Sequence, residues 1–206
     1  MKGINISFSL IFILTISSCF VPVIFKETQP RGYFHVEHIS NYYQGVFYCE
    51  GDGSEVNIAR RLIYKSKTIP VEIPVEEIEE SEYLNYNNNE LIIDGVDHSY
   101  SAILRNDTVF SNIILRDTLF DMDLEEHVLT DYKGHQILNR RLENGGWEVL
   151  ILSIDSNHDI ILSEASIPED LTRLKEITPI EEISKGDSTI IILSPTVYQF
   201  DQIFHE

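Results

Sequence analysis

Apolar residues in this chain come in short runs broken by glycine, asparagine, aspartate and proline, without the three-and-four spacing of long amphipathic helices. Gly32 to Glu37, Gly45 to Cys49, Leu91 to Ile93, Tyr100 to Leu104, Val109 to Leu115 and His127 to Tyr132 each read as a strand between turn signals. Gly134 to Leu142 and Trp147 to Ile154 flank Glu143-Asn144-Gly145-Gly146. That is a hairpin signal, because asparagine and glycine accept positive φ. Glu50-Gly51-Asp52-Gly53-Ser54 reads as a turn, and Asp155 to Asp159 turns the chain into Ile160-Ile161-Leu162. Val56 to Tyr64 fits a strand or a short helix. Val71, Ile73 and Val75 alternate with polar or proline positions, which predicts an edge strand, since Pro70 and Pro74 donate nothing to a ladder. Glu76 to Glu82 predicts a solvated helical turn or loop ahead of the asparagine-rich Asn85 to Asn89.

Two helices close the chain. Pro168-Glu169-Asp170 opens the first, with Arg173 and Lys175 matching the negative end of its dipole. Ser194 caps the second, whose Val197, Phe200, Ile203 and Phe204 form a stripe that should dock on a sheet. The predicted fold is mainly β (α+β): an antiparallel meander, sandwich or partly open barrel with two peripheral helices, the last C-terminal. Composition sharpens this. With 30 Ile, 12 Val and 10 Thr against 3 Ala, the chain favours pleated surfaces, which excludes a helical bundle. No βαβ rhythm appears, which disfavours a doubly wound nucleotide fold. Charge removes another class: 34 acidic against 15 basic residues give −19, and nucleic-acid binding needs a basic surface.

The N-terminus differs from the rest. Lys2 is its only charge before Lys26, and Ile4 to Ile16 is an apolar run of signal-peptide length. Ile16-Ser17-Ser18-Cys19 resembles the lipobox of bacterial lipoproteins: an aliphatic residue, two small ones and a cysteine. The resemblance implies cleavage before Cys19, acylation of Cys19, and stable anchoring through several acyl chains. It also implies an outer-membrane anchor facing the periplasm, since Phe20 rather than Asp follows the cysteine. Removing residues 1–18 takes one lysine and no acid, so −19 becomes −20. Two other readings stand beside it: a cleaved signal that releases a soluble protein, and an uncut transmembrane anchor from Ile4 to Phe25. The expected organisation is a signal peptide (1–18), a tether (19–32) and one β-rich extracytoplasmic domain (33–206). With Cys19 acylated, Cys49 has no partner and reads as a small core hydrophobe.

Chemistry is sparse. Gly186-Asp187-Ser188 resembles the nucleophile block of GDS-type esterases but stands near the end of the chain. Asp201 and His205 follow on one helix rather than in that family's arrangement, so a turn explains the block better. Asp121, Asp123 and Glu125, with Glu126 and His127, form an acidic cluster whose alternate oxygens could hold Ca²⁺, though without an EF-hand glycine or terminal glutamate. Glu50 to Glu55 is a shorter candidate. His35 and His38 point to opposite faces of a strand and make a poor metal pair. Tyr33, Phe34, Tyr42, Tyr43, Phe47 and Tyr48 crowd one segment, as core residues or as platforms for sugar rings. Asp107-Thr108-Val109, Asp117-Thr118-Leu119 and Asp187-Ser188-Thr189 resemble the O-glycosylation pattern of Bacteroidetes-type bacteria. The expected function is an anchored, non-enzymatic binding or structural module with a protein, glycan or small-ligand partner. Its alternatives are a Ca²⁺-dependent or inhibitory partner-binding protein and an envelope glycan hydrolase using paired carboxylates.

Overall fold

The computed structural model describes residues 23–49, 51–164, 171–185 and 188–204. Residues 1–18, Cys19, Glu50, Pro168 to Asp170, Gly186, Asp187 and His205 lie outside them. The described residues are mainly β, in two seven-stranded sheets with three helices and no closed barrel.

The first sheet is built on three hairpin-linked strands, β9 (His127–Tyr132), β10 (His135–Arg141) and β11 (Trp147–Ile154). Two turn signals act as expected. Gly145 has φ 87° and Asn144 Oδ1 accepts the Gly146 N–H at 3.0 Å, closing the β10–β11 turn. Asp155 Oδ1 accepts the N–H groups of Asn157 and Asp159 at 2.8 and 2.9 Å, turning the chain into β12 (Ile160–Glu164), which pairs with β11. The same edge of β11, at its other end, takes β1 (Val23–Phe25), which runs parallel to β14 (Ser188–Leu193), itself paired with β13 (Ile180–Lys185).

β1 corrects the expected tether. Val23 to Phe25 alternate with nothing and read as the tail of an apolar leader, yet Ile24 and Phe25 are buried in the sheet. Gln29, fully buried, is clamped through its backbone N–H and C=O by the Asn139 amide at 2.6 and 2.9 Å. A second correction concerns Gly32 to Glu37. Only His35 makes an isolated bridge, to Thr130, because the chain is rounding the β9 edge there.

The second sheet hangs on one long ribbon of β4 (Leu62–Pro74) and β8 (Thr108–Asp121), roughly 45 Å at a strand's rise. At its base lie β2 (Gly45–Cys49) and β3 (Ser54–Ile58), so Val56 to Tyr64 is strand, tight turn and strand. At its tip lie β5 (Leu84–Asn87), β6 (Glu90–Ile93), β7 (Tyr100–Arg105) and α1 (Val75–Glu80), the acidic helical turn. Asn88-Asn89, Asn106-Asp107 and Lys133-Gly134 all have positive φ in two-residue loops, the type that matches strand twist. Pro70 and Pro74 stand where β4 has no strand on its outer side, as the edge reading required.

Three clusters fill the interior. Ile137, Val149 and Ile151 on one face of the first sheet meet Leu174 of α2 (Leu171–Ile177) and Phe200 and Ile203 of α3 (Val197–Phe204). On the opposite face, Leu129, Leu138 and Leu152 meet Ile58, Ile63 and Phe120 from the ribbon's base. A third cluster around Ile78, Leu91, Tyr100 and Val109 holds the tip. Cys49 is half-buried at the end of an edge strand and so is not a core residue. The cap of α3 is Thr196 rather than Ser194. Its hydroxyl accepts the Gln199 N–H at 3.3 Å and Gln199 Oε1 accepts the Thr196 N–H at 2.9 Å, a reciprocal capping box.

The docked helix gives a direct test. Phe200→Asp should cost at least the ~3–5 kcal/mol of a large-to-small aromatic truncation in a core, because it also buries an unpaired charge. On the same helix Tyr198 is 72% exposed, and Tyr198→Asp should leave the urea midpoint unchanged. Equal midpoints for the two variants would contradict the docking.

Candidate functional site

In the acidic cluster read as a candidate for Ca²⁺, two carboxylates make contacts within the fold. Asp121 Oδ1 accepts the Asp123 N–H at 2.9 Å, tightening the β8–β9 turn, and Asp123 pairs with Arg61 at 2.8 Å. The Asp121 N–H donates to His127 Nδ1 at 2.7 Å, and the His127 ring stacks on Phe120. Asp121, Asp123 and Glu125 do not converge, and among the described residues no three His, Cys, Asp or Glu side chains gather as a ligand set. In the shorter candidate, Asp52 accepts the Ser54 N–H and hydroxyl and pairs with Lys65 at 2.7 Å. The Lys65 and Ser54 hydrogen bonds hold its carboxyl well below the usual range. No Asp or Glu is buried among the described residues, so a buried carboxylate pair is not found there. Asp201, named with the Gly186-Asp187-Ser188 block, instead accepts the Lys133 ammonium and the Tyr132 hydroxyl. Burial first, and then Asp201, pushes that phenol up to about 12. Thr108 and Thr118 both lie on β8, Thr118 exposed.

A cleft of about 560 Å³ lies where residues 39–44 cross the end of the first sheet. The crossing segment is a tight turn. The Tyr43 N–H donates to Ser40 O at 3.0 Å, the Tyr42 N–H to Ser40 Oγ at 3.3 Å, and Gln44 Nε2 to Ile39 O at 2.7 Å. Two bonds stitch this turn to the sheet: the Tyr43 hydroxyl to Gly134 O at 2.8 Å and the Ser40 N–H to Gln136 Oε1 at 3.0 Å. Gln136, almost fully buried, then donates its amide to Asp131 Oδ1 at 2.8 Å. Burial, helped by Asp131, raises the Tyr43 pKa, which keeps that hydroxyl a donor. His135 and the apolar Ile154 complete the lining. Tyr42 projects from the turn, 83% exposed.

The crowded aromatics therefore divide. Tyr43 and Phe47 face the core, Tyr33 packs edge-on against Tyr132, and Phe34, Tyr42 and Tyr48 face solvent. Ser40, Asp131, His135 and Gln136 carry no motif. Their one signal is a glutamine inside the apolar run from Gly134 to Leu142, since a buried amide must have its bonds met. A smaller hollow of about 350 Å³ lies at the tip between α1 and β5, lined by Ile78, Leu84 and Tyr86. No protein-family model, curated protein or solved structure matches the chain.

His127 makes the β8–β9 turn sensitive to pH. Burial lowers its pKa, and its Nδ1 accepts a hydrogen bond only in the neutral ring. The unfolded chain therefore binds the proton more readily, so stability is complete above the ordinary histidine range and is lost as pH falls through the folded value. The melting temperature should drop between pH 7.5 and 5, and His127→Gln should flatten part of that slope. An identical slope in the variant would remove His127 from this role.

Proposed function

We propose that this chain is a membrane-anchored envelope lipoprotein that works as a non-enzymatic binding module. The observation that carries the reading is the lipobox-like Ile16-Ser17-Ser18-Cys19 placed directly ahead of a core strand. Four residue steps separate Cys19 from Val23, a reach of at most ~14 Å. An acyl group on Cys19 would hold the first sheet itself close to the bilayer, with no spacer between them. Anchoring to the outer membrane, facing the periplasm, is part of the same reading and rests on Phe20 beside the cysteine.

The binding role rests on the cleft. Its walls are set by hydrogen bonds within the turn and across to the sheet, so a ligand would not have to order them. An acidic chain carrying −19 also suits a neutral or cationic partner better than an anionic one.

Expression of the full chain in a lipoprotein-processing bacterium with labelled palmitate tests the anchor. The wild type should incorporate label and sediment with membranes, whereas Cys19→Ala should lose both. An unlabelled wild type whose Cys19→Ala variant still sediments would replace acylation by an uncut apolar anchor.

A further inference from the structure

We infer that the cleft at residues 40–43 is a subsite for a neutral oligosaccharide, with Tyr42 as the stacking platform. The inference rests on the reading of this chain as a binding module and names the ligand class of its cleft. Tyr42 has 83% of its surface exposed, on a turn that hydrogen bonds already hold. A loop that merely tolerated an exposed ring would not need its backbone fixed on the sheet through both Tyr43 and Ser40. The C–H face of a pyranose is the natural partner of such a ring, because it covers apolar surface while its hydroxyls stay free for polar groups.

Those polar groups stand in the same cleft. Asp131 spends one oxygen on Gln136 at 2.8 Å, and its second takes no donor from the described residues. Gln136, almost fully buried beneath it, fixes that carboxylate through its amide. The second Asp131 oxygen stands on the exposed side of the cleft, where it can accept a hydrogen bond from a sugar hydroxyl. Ile154 offers an apolar wall, and the volume of about 560 Å³ lies within the roughly 300–1,000 Å³ of small-molecule sites. The carboxylate sets the charge of the ligand: Asp131 is exposed and belongs to a chain of net −19, so uronic or sulfated sugars are repelled.

The test uses the full chain in detergent and saturation-transfer NMR with four probes: maltohexaose, N-acetylchitohexaose, hexagalacturonate and hexalysine. At least one of the two neutral hexasaccharides should bind and hexagalacturonate should not. Tyr42→Ala should weaken that binding by about tenfold or more, and Tyr42→Phe should preserve it. Asp131→Asn should weaken the neutral sugar and reduce discrimination against hexagalacturonate. Thermal melts of Tyr42→Ala should match the wild type, since the ring is outside every core cluster. Binding of neither neutral sugar, binding unchanged in Tyr42→Ala, or binding of hexalysine alone would each overturn the assignment. Palmitate labelling separates the two readings. An acylated chain that ignores sugars sinks only the sugar subsite, whereas a sugar-binding chain without acyl label sinks only the anchor.

Discussion

The two faces of the first sheet impose the main constraint on this molecule. Successive residues of β10 and β11 are apolar on both sides: Ile137 and Ile151 point one way, Leu138 and Leu152 the other, all buried. A sheet apolar on both faces needs two covers, and fully burying each such side chain is worth roughly 1.5–3 kcal/mol. Helices α2 and α3 supply one cover, and the base of the β4–β8 ribbon with β2 and β3 supplies the other. The chain reaches those covers from both ends: residues 23–25 join the sheet as β1 and the C-terminal helix folds back onto it.

The same constraint explains where the ribbon goes its own way. Between Lys67 and Pro70, β4 pairs only with β8, and there Ile114 and Leu115 are about half exposed. Among the described residues no third strand pairs with the ribbon at this waist. The tip beyond it holds together through its own cluster around Ile78, Leu91, Tyr100 and Val109. No Asp or Glu of the described residues enters any of the three clusters, since a core cannot take an unpaired carboxylate.

What could be read from the residues alone divides along the same line. Local signals were legible: the Asn144-Gly145 and Asp155–Asp159 turns, the edge prolines and the Phe200–Ile203 stripe all act through neighbours close in sequence. Long-range pairings were not. Val23–Phe25 looked like the end of an apolar leader because its partners, Trp147 and Ile191–Leu193, lie more than a hundred residues away. The Asn88-Asn89 turn was hidden among asparagines, although its two positive φ values are what that residue type permits. The Thr196-to-Gln199 capping box lay beside the more conspicuous Ser194-Pro195. The cleft was the least legible part. Its aromatic ring was visible as one of six, but the ring's exposure depends on Gly134 and Gln136, about ninety residues further on. The dense acidic cluster, by contrast, drew attention as a metal site while two of its carboxylates serve a turn and an arginine.

The doubly covered first sheet, with residues 23–25 as one of its strands, is the structural centre from which the ribbon and the cleft are held. Hydrogen–deuterium exchange resolved by peptide on the full chain tests this most directly. Peptides covering β10, β11 and β1 should exchange most slowly and as one group, with β5 to β7 at the tip opening faster and independently. Exchange of residues 23–25 at the rate of an unprotected chain, or tip protection equal to that of β10 and β11, would contradict it.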